Sequence, residues 1–218
     1  MGTLTGREFS TDIRDLFADV DAVSYPRENQ VLRDINTAYV NDLCAKYDFS
    51  ELDTTDTEAT VASTATTAFS VSDILAIKGI VDNNGIPLKE ITANEYDRLL
   101  ARTGAITGVP THWYRTGATT SGTVTVRWYP VPNGAYTMTL NYRDRPAALT
   151  TSTATVIDSV FDDPLLYLAA ARVAVRIRLF EESAKFKKYA QATLAEILGS
   201  QLRGTEYVWD IGSEEGMS

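Results

Sequence analysis

The sequence predicts an α+β protein, with a helical bundle drawn from the N- and C-terminal helices and an antiparallel β-rich domain inserted between them. Three observations predict it. Apolar residues recur at helical spacing before about residue 47 and again after Asp163. Between Thr123 and Tyr142 they alternate with polar ones, the period of a strand with one buried face. The stretch from Asp48 to Asp73 contains no Lys or Arg and is crowded with Thr, Ala and Ser. Residues 1–51 and 153–204 are expected to form the bundle, and residues 52–152 the inserted domain with a short helix near 93–102. Residues 205–218 are expected to form an acidic tail.

Taken in order, Thr5-Gly6-Arg7-Glu8 reads as a capping box, with Leu4 and Phe9 at the staple positions. Phe9, Ile13, Leu16, Phe17 and Val20 follow as one apolar stripe. Tyr25-Pro26 restarts the chain, with Pro26 suited to a first helical turn. Val31, Leu32, Ile35, Tyr39 and Leu43 mark a second helix to about Tyr47, roughly 30 Å long. Short strands are expected near Thr57–Ser63 and Thr66–Val71, because Thr and Val favour extended backbone. Residues 74–92 read as a hairpin turning at Asn83-Asn84-Gly85. Thr92-Ala93-Asn94-Glu95 is a second capping box, stapled by Ile91 and Tyr96.

Val124, Val126 and Trp128 then alternate with polar neighbours, as do Met138, Leu140 and Tyr142. Pro130 to Gly134 separate the two runs, which predicts an antiparallel hairpin. Asp163-Pro164 reads as N-cap and first helical residue. Leu166, Ala170, Val173, Ile177 and Phe180 give that helix a core stripe, and Ala169–Ala171 permit close packing. Phe186, Tyr189, Leu194, Ile197 and Leu198 mark a last helix ending near Gly204.

Composition narrows the function. The 218 residues are 44% hydrophobic and 22% charged, the balance of a chain that folds around a core. A net charge of −9 argues against general nucleic-acid binding, which needs clustered cations, but suits a wall past which DNA slides. Cys44 and His112 are each the only residue of their type. Neither a disulfide, a zinc site nor a histidine-based triad can be built from them. Gly6 stands where a myristoylation site needs Ser or Thr, the N-terminus has no signal-peptide pattern, and no apolar run is long enough for a membrane. A soluble, non-catalytic protein without cofactor is expected.

Other candidates carry simpler readings. Asp158, Asp162 and Asp163 fit no calcium loop, and Asp163 is better explained as a cap. Glu51, Asp53, Asp56 and Glu58 form an acidic loop of the solvated kind. A pair of glycosidase carboxylates needs no local motif, and nothing favours one. Trp113, Trp128 and Tyr129 are candidates for stacking on a sugar or peptide, with the hairpin core as the competing reading. Arg172, Arg176 and Arg178 with Lys185, Lys187 and Lys188 form either a docking face for an acidic partner or a solvated helix face bridged to Glu181, Glu182 and Glu196. In the tail, Tyr207, Val208 and Trp209 either fold back on the core or insert into a partner.

One ordered set of motifs resembles a known family. Gly108-Val109-Pro110 and Trp113 lead into Trp128-Tyr129-Pro130, Pro132-Asn133-Gly134 and Tyr136. Leu140, Tyr142, Pro146 and Leu149 follow, then Phe161 and Asp163-Pro164-Leu165. This order resembles the head-to-tail adaptor, or connector, proteins of tailed bacteriophages. The resemblance implies a virion protein of the head–tail junction, made in the bacterial cytoplasm. It would form a homo-oligomeric ring, usually a dodecamer, docked on the portal protein, extending the DNA channel and presenting a platform to the next tail or neck protein. In such proteins a terminal segment reaches the portal, which makes Tyr207, Val208 and Trp209 docking candidates beside Arg172, Arg176, Lys187 and Lys188. A tail-completion or tail-terminating protein is the alternative.

Overall fold

Thr5 sets the entry of the first helix. Its hydroxyl accepts from the Glu8 amide at 3.3 Å, and the Glu8 carboxylate accepts from the Thr5 amide at 2.7 Å. These bonds hold the Glu8 carboxyl below its usual range, and they cap α1 (Gly6–Leu16) as expected. In this computed structural model, residues 4–18, 25–71, 73–116 and 123–209 are described, with the backbone alone over 200–209. Two units divide the chain: Met1–Phe49 with Pro146–Ser218, and Ser50–Arg145.

In the helical unit, α1 buries Phe9, Ile13 and Phe17. Leu16, expected in the same stripe, is 41% exposed, and Val20 lies outside the described residues. Helix α2 (Glu28–Thr37) has Arg27 as its N-cap, so Pro26 precedes the cap instead of occupying the first turn. It runs on into a π-helical segment, Ala38–Cys44. The Tyr39 hydroxyl accepts from the Val156 amide at 3.1 Å, and burial pushes its pKa up to about 12.

Asp163 does not cap the next helix. Asp158 instead accepts from the Val160 amide at 3.1 Å and starts a 3-10 turn, Ser159–Phe161, that flows into α4 (Asp162–Arg176). Asp163 and Pro164 therefore sit inside the first turn, where a missing N–H costs nothing. Asp162 is buried and accepts from the Leu4 amide at 3.3 Å and from the Thr155 hydroxyl at 3.4 Å. Burial raises its carboxyl pKa against the pull of those two bonds.

Arg178, at φ 65°, turns the chain into α5 (Phe180–Trp209). That turn breaks the expected stripe, and Phe180 is left 65% exposed. Helix α5 passes through Gly204, the expected end, and is roughly 45 Å long over its 30 residues. Ala169, Ala170 and Ala171 are all buried, which lets backbones approach where α4 packs against its neighbours.

The second unit carries two main sheets. The first has strand order β1–β9–β3, all antiparallel: β1 (Asp53–Ala59), β3 (Ile74–Val81) and β9 (Thr137–Asp144). The second has order β2–β7–β6–β4: β2 (Thr66–Ser70), β4 (Lys89–Glu90), β6 (His112–Arg115) and β7 (Thr123–Tyr129). Only the short β4–β6 pair of that sheet is parallel. A small parallel pair joins β5 (Thr107–Gly108) to β8 (Val131–Pro132). Helix α3 (Ala93–Thr103) starts at the second capping box, where the Thr92 hydroxyl accepts from the Glu95 amide at 3.2 Å. The protein is thus an α+β fold.

One expected hairpin is corrected, and a second is shorter than expected. Strands β7 and β9 do not pair with each other. They lie in different sheets, and Val124, Val126 and Trp128 join Met138, Leu140 and Tyr142 in one buried cluster. Pro130 and Pro132 cannot donate to a ladder, and the chain between the strands crosses from one sheet to the other. Facing each other across a shared core covers both apolar faces at once. After β3, Asp82 accepts from the Asn84 and Ile86 amides, both at 2.8 Å, and Gly85 takes φ 77°. The return arm pairs through Asp82 N to Ile86 O at 3.0 Å, Leu88 N to Ile80 O at 2.8 Å and an antiparallel bridge between Val81 and Pro87. The chain then leaves to pair β4 with β6 in the other sheet.

Candidate partner-binding surface

Most chemistry-bearing residues of the chain are absorbed by the fold. Trp113 and Trp128 are 1% and 0% exposed, and Tyr129 is 6% exposed. The Trp128 indole donates to the Thr67 hydroxyl at 2.9 Å, and Tyr129 shares a hydrogen bond with the Thr103 hydroxyl. These aromatics are core, with no face left to stack on a ligand. His112 lies on β6, with Nδ1 at 2.8 Å from the Thr111 hydroxyl. Burial, with Lys89 nearby, lowers its pKa. Cys44 is buried in the helical unit. Among the described residues no three His, Cys, Asp or Glu side chains converge as metal ligands.

The cationic helices form a built surface. Arg172 Nη2 and Asp42 Oδ2 lie 2.7 Å apart. Arg176 makes a two-pronged contact with Asp34, Nε to Oδ2 at 2.6 Å and Nη2 to Oδ1 at 2.5 Å. Asp34 is buried, and its position beside Arg176 holds the guanidinium pKa above the ordinary value. These partners differ from the Glu181, Glu182 and Glu196 bridges weighed from sequence. Of those, Glu182 pairs with Lys185 at 2.6 Å.

The π segment makes the pairing possible. In an unbroken α-helix, Asp42 would sit roughly 80° around the axis from Asp34. A π turn spends more residues per revolution, which brings the two carboxylates toward one side. Arg172 and Arg176, one turn apart on α4, then meet them in antiparallel order.

These pairs form one wall of a cleft of about 660 Å³. Its floor is Leu168, Ala171 and Val175 of α4; the two ion pairs stand on one side, with Lys46 Nζ 3.4 Å from Asp42 Oδ1, and Lys187 and Gln191 of α5 on the other. The lining holds four cations, Lys46, Arg172, Arg176 and Lys187, against two carboxylates, Asp34 and Asp42. Lys188 is exposed beside it in sequence but is not part of the lining. Tyr207, Val208 and Trp209 end α5, and their side chains lie outside the described residues.

A second cleft, about 460 Å³, had no counterpart in the sequence reading. Arg7, Ser10, Thr11 and Arg14 line it from one face of α1, with Tyr25, Arg27 and Glu28 opposite. The Arg14 guanidinium lies 5.7 Å from the Tyr25 ring centroid. The i, i+3, i+4, i+7 spacing of the α1 residues was the available signal, but polar residues at that period also mark any outward helix face.

The SU10 adaptor protein family matches residues 4–210. The chain belongs to that family. The match covers nearly the whole sequence, both units included, and bears out the resemblance carried by the motifs from Gly108 to Leu165. No curated protein matches the chain. As an SU10 adaptor the protein is a phage structural component, and the surfaces that matter in it are those that meet other chains. None of the described helices is long and apolar enough to cross a membrane.

Proposed function

We propose that the protein forms a ring that docks on the portal and extends the DNA channel toward the tail. The single observation that carries this reading is the family match over residues 4–210. By likeness to head-to-tail adaptors the ring is a dodecamer. Residues 1–51 and 153–204 form its body, residues 52–152 face outward or toward the tail, and residues 205–218 form the arm that reaches the portal. Tyr207, Val208 and Trp209 are the anchors of that arm, as large side chains at an interface concentrate binding energy. Arg172, Arg176, Lys187 and Lys188 serve an acidic partner surface. The net charge of −9 supports a channel that lets DNA slide without sequence-specific binding. The downstream tail or neck protein binds the free side of the ring.

Negative-stain electron microscopy of the chain mixed with the portal protein encoded in the same genome tests this. An added ring on one end of the portal is the expected image, and its symmetry gives the subunit number. An intact portal with nothing added overturns portal docking and moves the protein to the tail side.

A further inference from the structure

We propose that the cleft over α4 receives the Val156–Asp163 turn of a second copy of this chain, so that subunits join head to tail through these two surfaces. This rests on the ring reading and names the contact that would build the ring.

The turn before α4 is an apolar and acidic knob. Val156 and Val160 are 56% and 49% exposed, although the chain around them is firmly held. The Val156 amide donates to the buried Tyr39, Ile157 is 1% exposed, and Asp158 caps the 3-10 turn. Asp158 and Asp163 are exposed on the same turn, and no Lys or Arg occurs from Pro146 to Ala171.

The cleft is its complement in both respects. Val175, 45% exposed, continues an apolar floor with Leu168 and Ala171, and Lys187 is the cation left over once Arg172 and Lys46 have met Asp42 and Arg176 has met Asp34. Asp residues at the start of a helix and Arg at its end also suit the helix dipole. That accounts for the charges on α4, but not for the exposed valines at one end or for Lys187 on α5. The knob cannot enter the cleft of its own chain, because its backbone bonds fix it at the start of α4 while the cleft lies along the later turns. A contact between unlike surfaces leaves a free knob on one subunit and a free cleft on the next. It therefore repeats, and it closes into a ring if the rotation allows.

Charge reversal tests the contact. Asp163→Lys and Lys187→Glu are exposed changes on opposite sides of it, and circular dichroism checks that each variant folds. Self-association is read by sedimentation velocity over a concentration series, with a lysine-independent cross-linker to trap weak assemblies. Each single variant should associate about tenfold or more weakly than the wild type. A one-to-one mixture of the two, and the double variant, should recover wild-type association, because every contact is again between opposite charges. Overturning results are a wild type that stays monomeric throughout, single variants that assemble like it, or a mixture without recovery. Portal docking is read separately. Loss of docking with self-association intact refutes the adaptor reading and leaves this contact standing.

Discussion

Replacing Gly6 with Ala should destabilise the helical unit, against the usual sign of that change in a helix. Helix propensity alone favours Ala by up to about 1 kcal/mol. A Cβ at Gly6, however, would lie 2.3 Å from the Thr150 carbonyl oxygen and 3.0 Å from Leu32 Cδ2. The first atom is backbone and cannot rotate away. It is also held, since the Thr150 amide donates to Thr153 Oγ1 at 2.6 Å and the Gly6 amide to the Thr153 carbonyl at 3.2 Å. Next to it, the Asn36 side chain clamps both the Leu149 amide, at 2.6 Å, and its carbonyl, at 2.9 Å. Either α1 or this segment must shift, and overpacking of this kind costs about 1–3 kcal/mol. The net loss should be about 1–2 kcal/mol, a fall in Tm of roughly 3–8 °C. Urea unfolding followed by far-UV circular dichroism measures it, with an unchanged m-value showing that stability alone has moved. Gly199→Ala is the control. Nothing lies within 4 Å of its added Cβ, so the same substitution should stabilise α5 by up to about 1 kcal/mol. Equal signs at the two sites would refute the close approach of Thr150 to α1.

Arg176→Ala should cost about 2–3 kcal/mol in urea unfolding, because it strands the buried Asp34 carboxylate. Exposure of the Arg176 side chain keeps the cost below that of a fully buried pair. Asp162→Asn should raise the urea midpoint at pH 7 and leave it unchanged near pH 3. The sign follows from its raised folded pKa, against an ordinary value of 3.8: the folded state holds the proton to higher pH, so stability falls as pH climbs through that window. A midpoint gain of equal size at both pH values would show that ionisation is not the cause. Trp128→Phe should lower Tm more than Trp113→Phe, by about 1 kcal/mol in stability. The first loses the bond to Thr67, whereas the Trp113 indole nitrogen is buried without a partner among the described residues. Tyr207→Ala with Trp209→Ala should abolish portal docking in electron micrographs while circular dichroism is unchanged. Docking at wild-type level would remove the arm from the interface.

Local signals were legible wherever a few adjacent residues settle the matter. Both capping boxes, at Thr5 and Thr92, were readable because the Thr and the Glu three residues on satisfy each other's amides without outside help. Capping at Asp163 was misplaced by a few residues. Asp158 and Asp163 both offer carboxylates to a turn, and packing around Phe161 and Leu165 decided which one capped. The cationic stretch of the candidate site was visible, but its partners were not. Asp34 and Asp42 line up with Arg172 and Arg176 only through a π segment that the apolar spacing of α2 does not announce.

Legible in the sequence were the α+β class, the helical ends with a β-rich middle, the two capping boxes, and the family order of motifs from Gly108 to Leu165. These rest on period and on short-range hydrogen bonds, which need only neighbours in the chain. Tertiary structure alone decided which strands share a ladder, which side of α4 stays open, and where Phe180 ends. An alternating strand such as Thr123–Tyr129 records that one face is buried, not what buries it. The cover came from β9 across the core instead of beside it in a sheet, because that arrangement hides two apolar faces with one packing.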